Sequence, residues 1–165
     1  MVSTYQQIMQ LTDISALSNA TNLEKFNLSY APNIKELPSL EKLSNLKTIS
    51  VTNSGLESIT DLVNLRKLTN LTKLDFNFNN IVKIDGLIPN EETDFANLEH
   101  LNLQNNCLQN KVKYNDYTTF EYNITTDIFV PLHQRKLRYL YVENNLDYTN
   151  TAALKSLTWT GKSGF

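Results

Sequence analysis

The feature that most constrains the fold of this chain is a short pattern of leucine and asparagine residues that returns along its length. The pattern has the form L-x-x-L-x-L-x-x-N-x-L, and the segments that begin at Leu71 and Leu98 follow it almost completely. Segments that begin at Leu23, Leu46 and Leu137 follow it in part. The first four segments begin 23, 25 and 27 residues apart. Self-similarity at a period of about 20–29 residues predicts stacked structural units rather than one irregular core.

Each unit contains two different spacings of apolar residues. In the strand part, Leu101 and Leu103 alternate with Asn102 and Gln104, which predicts a β-strand with its leucines in the core and its polar residues facing solvent. After the turn, apolar residues recur at every third position, as in the series Ile34, Leu37, Leu40 and Leu43. This spacing predicts a 3₁₀ or short helical return segment. Because one unit cannot cover its own apolar side, the units must stack.

The sequence therefore predicts one α/β domain over residues 1–165, a solenoid with a curved parallel sheet of about five to six short strands and a 3₁₀ or short-helical convex side. The predicted strands lie near 23–28, 46–51, 71–76, 98–103, 137–142 and 154–159. The long gap before Leu137 predicts an insertion within 109–135, rich in tyrosine and threonine. Tyr5, Ile8 and Met9 offer an apolar edge as an N-terminal cap. The unfinished sixth unit, with Trp159, leaves a strand edge that a partner could contact.

The asparagine positions have a predicted structural role in the turns. A buried main-chain group without a partner costs about 1–3 kcal/mol, and an asparagine side chain supplies both a donor and an acceptor. We assign this role to Asn79, Asn106 and Asn145, which would form a ladder through the solenoid. Ala31 cannot fill it, and Ser54 can do so only in part. The first two turns are therefore expected to be looser or differently bonded.

The polar positions of the strands define the candidate binding face. Neighbouring strands lie about 4.8 Å apart, so equivalent positions form columns on the concave side. Exposed aromatic side chains do little for folding and are enriched at protein interfaces, so we expect Phe78, Tyr139 and Tyr141 to anchor a partner. The alternative is that the two tyrosines pack beneath the insertion. The predicted partner-binding residues are Tyr30, Lys73, Asp75, Phe78, His100, Asn102, Gln104, Tyr139, Tyr141 and Glu143.

Composition and charge favour a protein partner over other classes of ligand. The net charge is −2, which gives no strong attraction for nucleic acid. No apolar run approaches the roughly 20 residues of a membrane span, so no membrane insertion is expected. The single cysteine, Cys107, excludes an intramolecular disulfide and favours a reducing compartment or a bacterial surface. The expected location is therefore the cytoplasm or the bacterial cell surface.

Residues able to do chemistry are few, and we expect no enzyme activity, no cofactor and no metal site. The catalytic candidates are His100, His133 and Cys107, and nothing in their spacing requires a nucleophile–base pair. No zinc-ligand or phosphate-loop spacing is present. A small acidic cluster lacks the spacing of a calcium loop and is expected to be a solvated loop; it consists of Glu91, Glu92 and Asp94.

The repeat resembles that of the leucine-rich-repeat family over about residues 8–160. The segment from Thr12 to Lys25, with the sequence TDISALSNATNLEK, resembles the internalin type of repeat found on bacterial surfaces. The same class includes intracellular regulators that bind protein phosphatases. The resemblance implies a curved parallel sheet whose concave face holds a protein. The favoured interpretation is a non-catalytic protein-interaction module; the alternatives are an internalin-like adhesin domain and a structural subunit of a larger assembly.

Overall fold

A computed structural model describes residues 3–59, 65–82, 87, 93–108, 136–142 and 145, together with the backbone of a short strand at Ser163–Gly164. Two short helical elements come first, α1 at Thr4–Met9 and a 3₁₀ turn at Ser15–Asn19. Six strands follow: β1 Lys25–Ser29, β2 Thr48–Thr52, β3 Lys73–Asp75, β4 His100–Asn102, β5 Tyr139–Tyr141 and β6 Ser163–Gly164.

The strands form one parallel sheet in chain order, from β1 to β6. Their register repeats from unit to unit, so that Ile49 lies beside Leu74, Leu74 beside Leu101, and Leu101 beside Leu140. Parallel neighbours need a return segment on one side of the sheet, and the third-position leucines of the first unit are buried there. The predicted α/β solenoid with a parallel sheet of short strands is confirmed.

One face of the sheet packs on a continuous core, and the other, which we call the open face, carries the polar strand positions. Ile49, Leu74, Phe76 and Leu101 are fully buried on the core side. Phe26 of the first unit is only partly buried, since no described strand lies beyond β1. Coverage of the core therefore depends on having a neighbouring unit on each side.

The last described strand is one that the sequence did not predict. The segment that pairs with β5 is Ser163–Gly164, with Leu140 beside Ser163 and Tyr141 beside Gly164. The predicted strand at 154–159 lies outside the described residues, as do the insertion within 109–135 and Trp159. Apolar spacing could not locate β6, because strand pairing uses main-chain groups that Ser163 and Gly164 possess without an apolar pattern.

The N-terminal edge folds as helix α1, which the apolar spacing alone did not predict. The Ser3 hydroxyl accepts a hydrogen bond from the Gln6 N–H at 3.2 Å, and the Gln6 side chain accepts one from the Ser3 N–H at 2.9 Å. This reciprocal capping box satisfies two main-chain donors at the start of the helix. The signal is present in the sequence as S-T-Y-Q, so a search for capping boxes would have found it.

A second difference concerns Asp94, expected in a solvated loop. Its side chain is almost fully buried, with Oδ1 3.0 Å from the Lys67 Nζ and Oδ2 4.0 Å from the Arg66 Nη1. The neighbouring Phe95 N–H donates to the Arg66 carbonyl at 2.8 Å, which ties the two return segments together. A buried carboxylate is stable only when paired, and Arg66 and Lys67 supply that pairing. Glu91 and Glu92 lie outside the described residues.

Candidate binding face

The sheet brings six of the predicted binding residues together on the open face. The register places Lys73, His100 and Tyr139 side by side in one column. Asp75, Asn102 and Tyr141 form the next column. The alternation of each strand keeps these side chains on the face opposite the core residues of the same strands.

The His100 ring contacts the rings of Tyr139 and Tyr141, and we call these three residues the aromatic patch. The centroid of the His100 ring lies 5.7 Å from that of Tyr139 and 5.3 Å from that of Tyr141. Both centroid distances are within the range that aromatic pairs favour, and the rings are tilted by 39° and 43°. All three side chains are partly buried, so they are held in place while part of each ring stays accessible.

The surroundings of His100 favour its neutral form. Its partial burial lowers its pKa below the usual 6.5, and the nearby Lys73 ammonium lowers the pKa further. Asp75 acts in the opposite direction and raises the pKa. The Lys73 Nζ lies 3.7 Å from the Asp75 Oδ2, so the two charges on β3 offset each other. At neutral pH the aromatic patch is therefore an uncharged surface beside a compensated ion pair.

Contrary to the sequence prediction, Asn102 does not face solvent. It is only 9% exposed, and its Oδ1 accepts a hydrogen bond from the Gln104 N–H at 3.0 Å. Its position explains the burial, because Asp75 and Tyr141 flank it on the neighbouring strands. Asn102 therefore orients the strand end rather than offering a contact. Gln104 remains partly buried beside it, and Glu143 lies outside the described residues.

One residue in the turn after each of the strands β1 to β4 adopts an unusual backbone conformation. Tyr30, Asn53, Phe78 and Asn105 have φ angles of 61°, 49°, 53° and 54°. Asparagine tolerates this left-handed region, whereas for other L-residues it costs about 1–2 kcal/mol. Tyr30 and Phe78 nevertheless carry large rings that are 53% and 50% exposed. Both positions therefore combine backbone strain with apolar exposure.

The structure separates Tyr30 from the aromatic patch. Tyr30 follows β1, and two strands lie between β1 and β4 in the sheet. Its ring instead contacts that of Tyr5 on α1, with centroids 6.3 Å apart. Phe78 follows β3, the strand beside β4, and its N–H donates to the Gln104 carbonyl at 3.1 Å. Of the two exposed rings, only Phe78 lies on a unit adjacent to the aromatic patch.

The three buried asparagines form the hydrogen bonds that the predicted ladder requires. The Asn79 Oδ1 accepts from the Leu56 N–H at 3.2 Å, and the Asn106 Oδ1 accepts from the Ile81 N–H at 3.0 Å. Asn145 continues the series one unit further, accepting from the Leu108 N–H at 3.3 Å. The amide nitrogens donate in turn to carbonyls of their own and the preceding unit: Val51, Phe76 and Asn77 for Asn79; Phe76, Leu103 and Gln104 for Asn106; Leu103 and Val142 for Asn145.

The earlier turns are bonded differently. The Ser54 hydroxyl accepts from the Ala31 N–H at 3.2 Å and donates to the Thr52 carbonyl at 3.0 Å. The Ser54 hydroxyl thus makes two hydrogen bonds at the position where the asparagine side chains of later units make three or four. The Pro32 carbonyl of the first turn also lies close to Gly55 of the second turn, where an added Cβ would lie 2.0 Å from that oxygen. Position 55 therefore requires glycine, because the backbones of the first and second turns approach closely there.

A second asparagine ladder, which we did not predict, lies just before the N-terminal ends of the strands. The side-chain amides of Asn45, Asn70 and Asn97 donate to main-chain carbonyls of the preceding unit, at 3.3, 2.9 and 2.6 Å. The acceptors are Thr21, Ser44 and Thr69. The signal was available, because an asparagine immediately precedes the first leucine of each of these units. Side-chain amides therefore connect neighbouring units at both ends of the strands.

Within the described residues, the catalytic candidates His100 and Cys107 do not form a nucleophile–base pair. Cys107 is partly buried at a turn, where its N–H donates to the Ile81 carbonyl at 3.0 Å. His100 contacts tyrosine rings, and His133 lies outside the described residues. Among the described residues, no three histidine, cysteine or acidic side chains cluster as metal ligands would. In the same part of the chain, no helix is long and apolar enough to cross a membrane.

Comparison with known proteins finds a likeness to solved structures. No family model matches the chain, and no curated protein does. Among solved structures, the chain is similar to an internalin (inlF) from Listeria monocytogenes, with 19% sequence identity and a TM-score of 0.37. The similarity covers 81% of this chain and 52% of the internalin, so the chain spans about half the length of that protein.

Proposed function

We propose that this protein is a non-catalytic protein-interaction module whose partner binds the open face over the aromatic patch. The observation that carries the proposal is the contact of three rings, His100, Tyr139 and Tyr141, on the polar side of the sheet. Tyrosine combines a large apolar ring with a hydroxyl and is common where binding energy concentrates. The covered units beneath the patch give these rings a rigid support.

The charges around the patch favour a protein surface over a highly charged ligand. Lys73 and Asp75 offset each other, and His100 is kept neutral by burial and by Lys73. An uncharged aromatic surface with polar groups beside it matches the centre of a protein interface, where charged residues are depleted. A nucleic acid would instead need an uncompensated row of basic side chains.

Phe78 is the second element of the proposed interface. Its ring is half exposed and its backbone is in the left-handed region, at a position where asparagine occurs in other units. A residue that is unfavourable for both backbone and solvation is best explained by a contact outside the fold. We therefore propose that Phe78 packs against the partner at the rim of the patch.

The test requires a partner captured by photo-cross-linking from Thr52, which is on the open face, and then purified. With that partner, Tyr141→Ala is expected to raise the dissociation constant at least about 30-fold, which corresponds to about 2 kcal/mol. The matched control is Ser50→Ala, which alters the same column of the sheet three strands away and should leave the dissociation constant unchanged. Equal affinity of the two variants would contradict the proposed site.

Phe78→Asn separates the binding role of Phe78 from a folding role. Because asparagine adopts the left-handed conformation readily, the free energy of unfolding should rise by up to about 1 kcal/mol. Binding of the same partner should weaken. Urea titration and calorimetry on one preparation measure both quantities. A variant that loses stability would show that the Phe78 ring serves the fold.

A further inference from the structure

His100 lies at the centre of the aromatic patch and belongs to the residue type whose charge changes near physiological pH. Its ring centroid lies 5.7 Å from that of Tyr139 and 5.3 Å from that of Tyr141. Its strand, β4, has β3 on one side and β5 on the other. A proton gained by His100 therefore places a positive charge in the middle of the proposed interface.

The groups that face the His100 ring come from these two neighbouring strands. On β3, Lys73 is its partner in the sheet register, and Asp75 lies two residues further along. On β5, Tyr139 is its register partner, and Tyr141 lies two residues further along. Partial burial lowers the pKa of His100, Lys73 lowers it further, and Asp75 raises it. The free protein therefore presents a neutral imidazole at neutral pH.

A partner that covers this imidazole makes the proton harder to add. Removing a charged group from water costs far more than removing a neutral ring, unless an opposite charge pairs with it. Asp75 is the acid on the neighbouring strand, and its Oδ2 already lies 3.7 Å from the Lys73 Nζ. Binding and protonation are reciprocal, so a partner that disfavours the proton is itself disfavoured when the proton is present.

We propose that His100 makes partner binding on the open face acid-sensitive: the partner covers the neutral imidazole with an uncharged, apolar group, and protonation of His100 releases it. The inference rests on the proposed function, because it requires a partner over the aromatic patch. It also specifies the chemistry of that partner at this position. Lys73 is offset by Asp75 and the two tyrosine rings lie alongside, so an uncharged group fits better than a carboxylate.

The first test measures the dissociation constant of the protein captured by photo-cross-linking from Thr52, between pH 8 and pH 5. The constant should rise about 10-fold as the pH falls, which is the effect of a decrease of one unit in the pKa of His100 on binding. Binding should also release up to about one proton near the pH at which His100 titrates. Calorimetry in two buffers of different ionisation enthalpy measures that release.

His100→Gln tests whether His100 is the group that titrates. Glutamine is polar and takes up no proton in this pH range, so the dissociation constant should no longer depend on pH. Binding at pH 8 should be weaker than for wild type, because the ring contacts with the tyrosines are lost. The matched control is His133→Gln at the other histidine of the chain, which should keep the wild-type pH dependence.

Two variants of β3 keep His100 and should move the pH dependence in opposite directions. Lys73→Met removes a group that lowers the pKa of His100, so the weakening of binding should begin at higher pH. Asp75→Asn removes a group that raises the pKa, so it should begin at lower pH. The pH midpoint is compared rather than the affinity. NMR titration of the His100 ring in the free variants should show the same shifts, and these decide if His100→Gln does not fold.

Three outcomes would overturn the proposal: a dissociation constant that stays the same from pH 8 to pH 5, tighter binding in acid, or equal pH dependence in wild type and His100→Gln. The effect of Tyr141→Ala separates these outcomes from failure of the proposed function. If Tyr141→Ala weakens binding and the pH profile is flat, the interface stands and His100 has no regulatory role. An unaffected Tyr141→Ala variant would contradict the interface itself, and with it the role of His100.

Discussion

The first and fourth units share one repeat pattern but differ in how completely they are built. In the fourth unit Leu101 and Leu103 are fully buried, and Asn106 bonds the turn. In the first unit Phe26 and Leu28 are partly exposed, and Ala31 stands at the asparagine position. The comparison teaches that a repeat does not have a fixed stability. Each unit is stabilised by the neighbours that cover it and by the side chain that closes its turn.

The same comparison places the candidate site on the better-built part of the molecule. The aromatic patch spans β4 and β5, whose core residues Leu101 and Leu140 are fully buried. The open face of β1 carries Lys25 and Asn27, both exposed and without aromatic neighbours on β2. A rigid support reduces the entropy that binding loses, so a hot spot is expected over the covered units.

Removal of a core leucine gives the largest expected difference between the two units. Leu101→Ala should lower the free energy of unfolding by about 3–5 kcal/mol, because a fully buried side chain leaves a cavity between neighbouring units. Leu28→Ala should lower it by about 1 kcal/mol, because that side chain is partly solvated already. Chemical denaturation followed by circular dichroism measures both. Similar losses would show that the first unit is as well packed as the fourth.

The turn asparagine gives the next largest effect. Asn106→Ala leaves the Ile81 N–H buried without its partner and removes three further hydrogen bonds to main-chain carbonyls, so we expect a loss of about 3 kcal/mol. Ser54→Ala removes one hydroxyl with two bonds, and a loss of about 1 kcal/mol is expected. The two values come from the same denaturation assay. If Ser54→Ala were the more damaging change, the asparagine ladder would not be what distinguishes the later turns.

Gly55 tests the close contact between the first and second turns. Gly55→Ala should destabilise the protein by about 2 kcal/mol, because the new methyl meets the Pro32 carbonyl and the two backbones must separate. The equivalent residue of the third turn is Asn80, which is exposed. Asn80→Ala should therefore change stability by less than about 0.5 kcal/mol. Tolerance of alanine at Gly55 would mean that the first turn moves aside freely.

Acidification gives the smallest expected effect, and it acts on the fourth unit through His100. Because its pKa is lowered from 6.5 in the folded protein, the unfolded chain takes up the proton first as the pH falls. Stability is then fully present above pH 6.5, falls below it, and levels off once His100 is protonated in the folded state. His100→Gln should lose less stability than wild type between pH 8 and pH 5. An equal loss of stability in the two proteins, measured by thermal melting at each pH, would contradict this. His133 is present in both proteins, so it does not affect the comparison.

Much of the fold could be predicted because the leucine spacing reports directly on which side chains are buried. The positions of Leu74, Leu101 and Leu140 in one column follow from that spacing alone. Helix α1 and the second asparagine ladder also left signals, in Ser3 with Gln6 and in the asparagines that precede leucines. Those signals concern hydrogen bonding, which hydrophobic periodicity does not report.

The candidate site was harder to predict, since exposure depends on neighbouring strands. Alternation placed Asn102 on the correct face, yet the flanking residues Asp75 and Tyr141 bury it. The burial of Asp94 depends on Arg66 and Lys67, which lie about 27 residues earlier in the chain. The left-handed conformation at Phe78 follows from the shape of the turn and not from its residue type. Such features arise from packing between units and require coordinates.

Hydrogen exchange at two equivalent amides tests the central claim most directly, that the covered units form the stable support and the first unit is its weakly held end. The Tyr30 N–H donates to the Thr52 carbonyl at 3.2 Å, and the Phe78 N–H donates to the Gln104 carbonyl at 3.1 Å. The two amides have the same position, conformation and kind of bond, so a difference between them reports the opening of their units. Measured on dilute, monomeric protein, the Tyr30 amide should exchange much faster than that of Phe78. Equal protection of the two amides would contradict the account.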